Sequence, residues 1–125
     1  MSLLAFRLGD LVCAAPLAGV REVVRLGAIR PLPGATLPLV GLTEVRGQTV
    51  RVLDPRGTTT TGPGPAAGDG DLVVLSDGSG VACDEVLGVR EDEEATPAAG
   101  LPPYATGLLV DGTLLVDLAA LGSVA

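Results

Sequence analysis

The sequence predicts an all-β protein built as two small barrels around a shared core, on three observations. Short apolar runs are joined by turns containing Gly and Asp. The 18 Gly and 10 Pro interrupt almost every window long enough for a helix, leaving only Leu17 to Leu26 with a trace of helical period. Finally, the features of the first half recur in order in the second, with Gly19-Val20-Arg21-Glu22 echoed by Gly88-Val89-Arg90-Glu91 and Cys13 by Cys83.

The elements follow in chain order. Leu3 to Leu8 and Leu11 to Pro16 flank Gly9-Asp10 and form a hairpin. Val20 to Val24 reads as a strand with Val20, Glu22 and Val24 on one face. A carboxylate between two valines is poorly solvated unless paired, and Arg46 is its expected partner. Val40 to Arg46 is extended, with Leu42, Glu44 and Arg46 on one face. A type II′ turn at Gly47-Gln48 then sets Glu44 opposite Arg51, which would keep Glu44 from competing for Arg46. Leu72 to Ser76 and Ser79 to Cys83 flank Asp77-Gly78, and a closing hairpin turns at Asp111-Gly112, both with primed-turn chemistry. Four hairpins, two connecting strands and edges that need covering are most economically closed into two barrels.

Residues 57 to 70 hold no large apolar side chain and read as a linker between a subdomain of about residues 1–56 and another of about 71–125. Charge divides near the same place. Residues 1 to 62 carry seven Arg against four acids, and residues 63 to 125 one Arg against eleven, within a net charge of -7.

Much is excluded. A chain of 125 residues folds as one domain. Its longest nearly apolar stretch, Leu11 to Val20, is broken by Pro16 and Gly19 and is too short to span a membrane, so direct membrane insertion is not expected. Arg7 and Asp10 spoil any signal peptide, which implies a cytoplasmic protein. Without Lys or His, neither a phosphate-binding Walker loop nor a nucleophilic triad can be built, and no catalytic residue is assigned. Phe6 and Tyr104 are the only aromatics, too few for sugar platforms. The negative charge opposes nucleic acid. Cys13 and Cys83 lack nearby Cys or His ligands and read as buried small hydrophobes. Neither Glu91-Asp92-Glu93-Glu94 nor Asp69-Gly70-Asp71 has the alternating ligands of a calcium loop, so both read as solvated. No metal and no cofactor is expected.

Several spaced motifs together resemble the CheW-like domain family. In the first half these are Ala5-Phe6-Arg7-Leu8-Gly9-Asp10, Val20-Arg21-Glu22-Val23-Val24, Leu32-Pro33-Gly34, Gly41 with Val45-Arg46-Gly47, and Val50 to Asp54. In the second they are Gly80 to Val89 and Tyr104-Ala105-Thr106-Gly107 through Asp117. The resemblance implies two five-stranded SH3-like barrels packed around a shared core. It also implies a non-enzymatic chemosensory adaptor that couples a chemoreceptor cytoplasmic tip to the histidine kinase CheA, through the kinase's own CheW-like regulatory domain. Val20, Glu22, Arg46 and Gly47 match positions that the family uses toward the receptor, while no residue is assigned to the kinase. Glu44, where Asn is usual, and Pro55, where Leu is usual, depart from the pattern. A divergent paralogue in a motility or other chemosensory-like pathway and a small barrel binding a peptide or ligand are the alternatives.

Overall fold

The computed structural model describes residues 2–34, 39–55, 70–91, 96–97, 99–101, 105–109 and 111–121. The expected linker, apart from Gly70, lies outside these residues, as do Tyr104 and acids 92–94. The described residues form ten strands, followed by one helical turn at Leu118–Leu121. These are β1 (Leu3–Leu8), β2 (Leu11–Pro16), β3 (Val20–Arg25), β4 (Leu39–Val45), β5 (Gln48–Leu53), β6 (Asp71–Leu75), β7 (Ser79–Cys83), β8 (Glu85–Arg90), β9 (Ala105–Leu108) and β10 (Leu114–Val116). They form two five-stranded sheets, ordered β8-β1-β2-β10-β9 and β3-β6-β7-β5-β4.

The sheets have the same plan. A hairpin (β1-β2 or β6-β7) carries an antiparallel strand on one flank (β8 or β3). On its other flank it pairs in parallel with the second strand of a closing hairpin (β10 of β9-β10, or β5 of β4-β5). The sequence echoes fall on equivalent strands: Cys13 on β2 and Cys83 on β7, Val20 on β3 and Val89 on β8.

The expected division at the linker does not coincide with the sheets. The second sheet is the uninterrupted run β3 to β7, and the first joins β1 and β2 to β8, β9 and β10. Both β2 and β7 already have neighbours on each side, so the chain leaves its sheet after each of them. One crossing runs through Leu17 to Gly19, the other through Asp84 alone. At the second crossing the Asp84 carboxylate accepts the Gly9 N–H, and the Asp84 N–H donates to the Arg7 carbonyl at 2.9 Å.

The largest core cluster is shared between the sheets. Leu4, Phe6, Leu8, Cys13, Leu114 and Val116 of the first meet Val73, Leu75, Val81 and Cys83 of the second. The opposite faces of β6 and β7 present Leu72, Val74 and Ala82 to Val45, Val50 and Val52 inside the second barrel. Burial on both faces explains why these strands read as continuous apolar runs rather than alternating ones.

Turn chemistry differs from expectation at three hairpins. Leu8 pairs with Leu11, leaving Gly9-Asp10 as the two-residue turn anticipated. At Asp77-Gly78 and Asp111-Gly112, however, only Gly has positive φ, and the bonds Gly78 N–H to Leu75 and Gly112 N–H to Leu109 define longer turns that end on a left-handed Gly. Asp77 is then free to accept bonds from the Ser79 N–H (2.9 Å) and hydroxyl (2.6 Å), which a primed turn would not favour. The third difference, at Arg46-Gly47, belongs to the site.

Candidate functional site

Strands β3 and β4 lie at opposite ends of the second sheet, yet the sheet curls enough for side chains to meet across the seam. The segment after β3 helps close it. Arg30 and Leu42 exchange backbone bonds of 2.7 and 2.9 Å, and the Thr43 hydroxyl donates to the Ala28 carbonyl at 2.8 Å. On β3 the expected alternation holds: Val20, Glu22 and Val24 are half-buried while Arg21, Val23 and Arg25 are exposed. Val20 packs on the shared core and Val24 on the second barrel's interior, so Glu22 stands between two apolar clusters.

Arg46 meets Glu22 there, with Nε donating to Oε1 at 2.7 Å. The Glu22 side chain is only 20% exposed and the Arg46 side chain 78%, so the carboxylate anchors a guanidinium directed outward. The hydrogen bond to Glu22, and secondarily its charge, hold the Arg46 pKa above the ordinary guanidinium value.

The turn that delivers Arg46 is Arg46-Gly47 rather than Gly47-Gln48, because Val45 pairs with Gln48. Both central residues have positive φ, 51° and 77°, as a type I′ turn requires. Arg46 therefore belongs to the turn instead of the strand face. The one-residue shift sets Glu44 opposite Thr49 and Leu42 opposite Arg51. Glu44 is held by Arg30 Nη2 at 2.9 Å and the Thr49 hydroxyl at 3.1 Å, not by Arg51, and leaves the Arg46 pair undisturbed.

Between the two sheets lies a groove of about 500 Å³ that the sequence reading missed. Its walls come from the end of β2 and the crossing to β3, the β6-β7 turn, β9, and the stretch from β10 into the helical turn. Most of the lining is apolar, including Ala15, Ala18, Leu75, Leu115 and Leu118. Gly19 lines it and Leu75 pairs with Val20, which joins the groove to the strand carrying Glu22.

Other candidates are structural. Cys13 and Cys83 are buried and reduced, and burial pushes the Cys13 thiol up to about 11, so it packs as a small hydrophobe. Asp71, expected to be solvated, instead accepts the Val86 N–H at 2.8 Å and faces Arg25 at 3.4 Å, tying β6 to β8 and β3. Its position opening β6 accounts for this difference. Among the described residues no group of three His, Cys, Asp or Glu is placed to hold a metal, and no helix is long and apolar enough to cross a membrane.

Paired barrels with a shared core, an inter-sheet groove and an ion pair across the seam of the second barrel define a docking domain. The chain matches the CheW-like domain over residues 2–124 and belongs to that family. It is 36% identical over 107 residues to Protein FrzA of Myxococcus xanthus, an alignment covering 82% of this chain and 63% of FrzA, so it spans less than two thirds of that relative's length. The scaffolding protein TtCheW from Thermoanaerobacter tengcongensis has the same fold, with a TM-score of 0.76 at 18% identity over 92% of this chain and 86% of TtCheW. The protein is thus a CheW-like domain. Its family is non-enzymatic and in general couples chemoreceptors to CheA.

Proposed function

We propose that this protein is a cytoplasmic, non-enzymatic chemosensory adaptor that joins a chemoreceptor cytoplasmic tip to the histidine kinase CheA. The observation that carries the reading is the Glu22–Arg46 pair, which bridges the seam of the second barrel on the strand that continues from the groove-lining Gly19. Val20, Glu22, Arg46 and Gly47 form the receptor site. Gly47 shapes the turn, Glu22 fixes the guanidinium, and Arg46 offers its outward donors to a carboxylate or carbonyl of the tip. Apolar residues of the groove bury the tip's own apolar side chains, supplying affinity that charge alone does not.

Isothermal titration against a soluble receptor tip tests this. Arg46→Ala and Glu22→Ala should each weaken binding at least about tenfold with melting little changed. Binding equal to wild type in both variants would remove these residues from the site. The kinase's CheW-like regulatory domain docks barrel to barrel, through aliphatic side chains exposed beyond the needs of the core. Among the described residues Val12, Leu87 and Val89 on the first sheet and Val23 on the second are of this kind. Kinase binding should then persist in ~0.5 M salt, because screening weakens charge but not apolar burial. Complete dissociation at that salt would assign the interface to charge.

A further inference from the structure

The inter-sheet groove is apolar along its length but carries a carboxylate on each wall. Asp77 stands on the β6-β7 turn of the second sheet, and Asp117 follows β10 of the first; both are exposed. Among the described residues no Arg lines the groove. The wider charge distribution has the same sign. Outside β3 to β7, the described residues hold Arg7 and Arg90 against Asp10, Asp84, Glu85, Glu91, Asp111 and Asp117, whereas from Val20 to Cys83 five Arg balance five acids. An occupant that is apolar and neutral would leave two carboxylates desolvated at its edges, and an acidic one would be repelled.

We propose that the groove receives an amphipathic segment of a partner protein that carries Arg or Lys beside its apolar face, with Asp77 and Asp117 reading the cations from opposite walls. This rests on the groove being the receptor-docking surface and names the chemistry of the segment that enters it. The geometry of Asp77 suits the role. Both bonds from Ser79 fall on Oδ1, which fixes the carboxylate in one orientation. Those bonds hold its pKa below the ordinary carboxylate value, so it stays ionised throughout the neutral range. Arg51, whose charge adds to that effect, lies on β5 and is not part of the groove lining.

The test uses two synthetic amphipathic peptides with the same leucine face, one flanked by arginines and the other by glutamates, titrated into isotopically labelled full-length protein by NMR. The arginine peptide should bind at least about tenfold more tightly at low salt and shift Leu75, Thr106 and Leu115, with the preference shrinking in ~0.5 M salt. The double variant Asp77→Asn, Asp117→Asn should lose the preference while still melting in one cooperative transition, since the amide oxygen that replaces the Asp77 carboxylate still accepts both Ser79 bonds. Equal binding of the two peptides, a preference that survives in the double variant, or shifts confined to residues outside the groove would each overturn the proposal. A receptor tip that fails to bind while the peptide preference holds would remove the receptor and leave the groove's chemistry standing. Tip binding without any arginine preference would do the reverse.

Discussion

Arg46 occupies the left-handed backbone region, where among the described residues every other member is Gly. An L side chain there crowds the following carbonyl, so the conformation works against folding while the turn aims the guanidinium across the seam. Arg46→Gly separates the two effects. It should melt no lower than Arg46→Ala, because Gly accepts the turn freely, yet bind the receptor tip as poorly as Arg46→Ala. Receptor binding retained by Arg46→Gly would mean that the turn, not the guanidinium, is recognised. The Glu22 pairing was legible in the sequence, because a carboxylate between two valines needs a partner and a guanidinium can grip it. The turn's position was not, since Gly47 signals a turn at either register and only the observed left-handed Arg decides between them. Asp77 makes a prediction of its own. Its hydrogen bonds from Ser79 lower its pKa in the folded state, so they stabilise the protein above the ordinary carboxylate value of about 3.9 and the effect is lost as pH falls through the lower folded value. Melting temperature should therefore drop on acidification below about pH 4, and the drop should be shallower in Asp77→Asn. An identical acid limb in the variant would show that Asp77 does not contribute.

Strands β3 and β4 show how a single residue governs a seam. A Cβ added to Gly41 would come within 2.3 Å of the Arg30 carbonyl oxygen and 2.7 Å of the Ile29 side chain, so the segment crossing β4 can lie this close only over Gly. Gly41→Ala should destabilise by about 1 to 3 kcal/mol, the range for overpacking, and weaken receptor binding as well because the seam that positions Arg46 opens. Chemical denaturation would measure the first and titration the second; unchanged stability would show that the crossing segment is not held as described. Gly80 stands under a similar constraint, with Leu72 occupying the space a side chain would need. At this scale the sequence was informative about strands and poor about partners. The runs of β1, β2, β6 and β7 announce themselves through apolar residues between turns. The pairing of β8 with β1 and of β3 with β6 joins segments far apart in the chain, and no local pattern encodes it. The groove stayed hidden for the same reason, since its walls are assembled from four separated stretches.

Interleaving makes the two halves of the molecule interdependent. Residues 1–55 contain β1 and β2 without β8 or β10, and residues 70–125 contain β6 and β7 without β3 or β5. Each half alone would leave one face of its hairpin, Phe6 and Leu8 or Val73 and Val81, without the shared core. Expressed separately, the halves should show no cooperative melting, and mixed in equal amounts they should regain the circular dichroism and melting of the intact chain. A cooperative transition in either half alone would refute this. Within the shared core, Phe6 is fully buried, and Phe6→Ala should cost about 3 to 5 kcal/mol and loosen both sheets together. The echo between halves made the common plan legible, but sequence similarity cannot show an exchange of strands. That exchange also sets an order of events during synthesis. The second sheet is complete once Cys83 has left the ribosome, whereas β2 must wait for Leu114 and Leu115, its parallel partners, about a hundred residues downstream. The first hairpin therefore emerges early and finishes last, and until then its edge and the face of Phe6 stay open to chaperones.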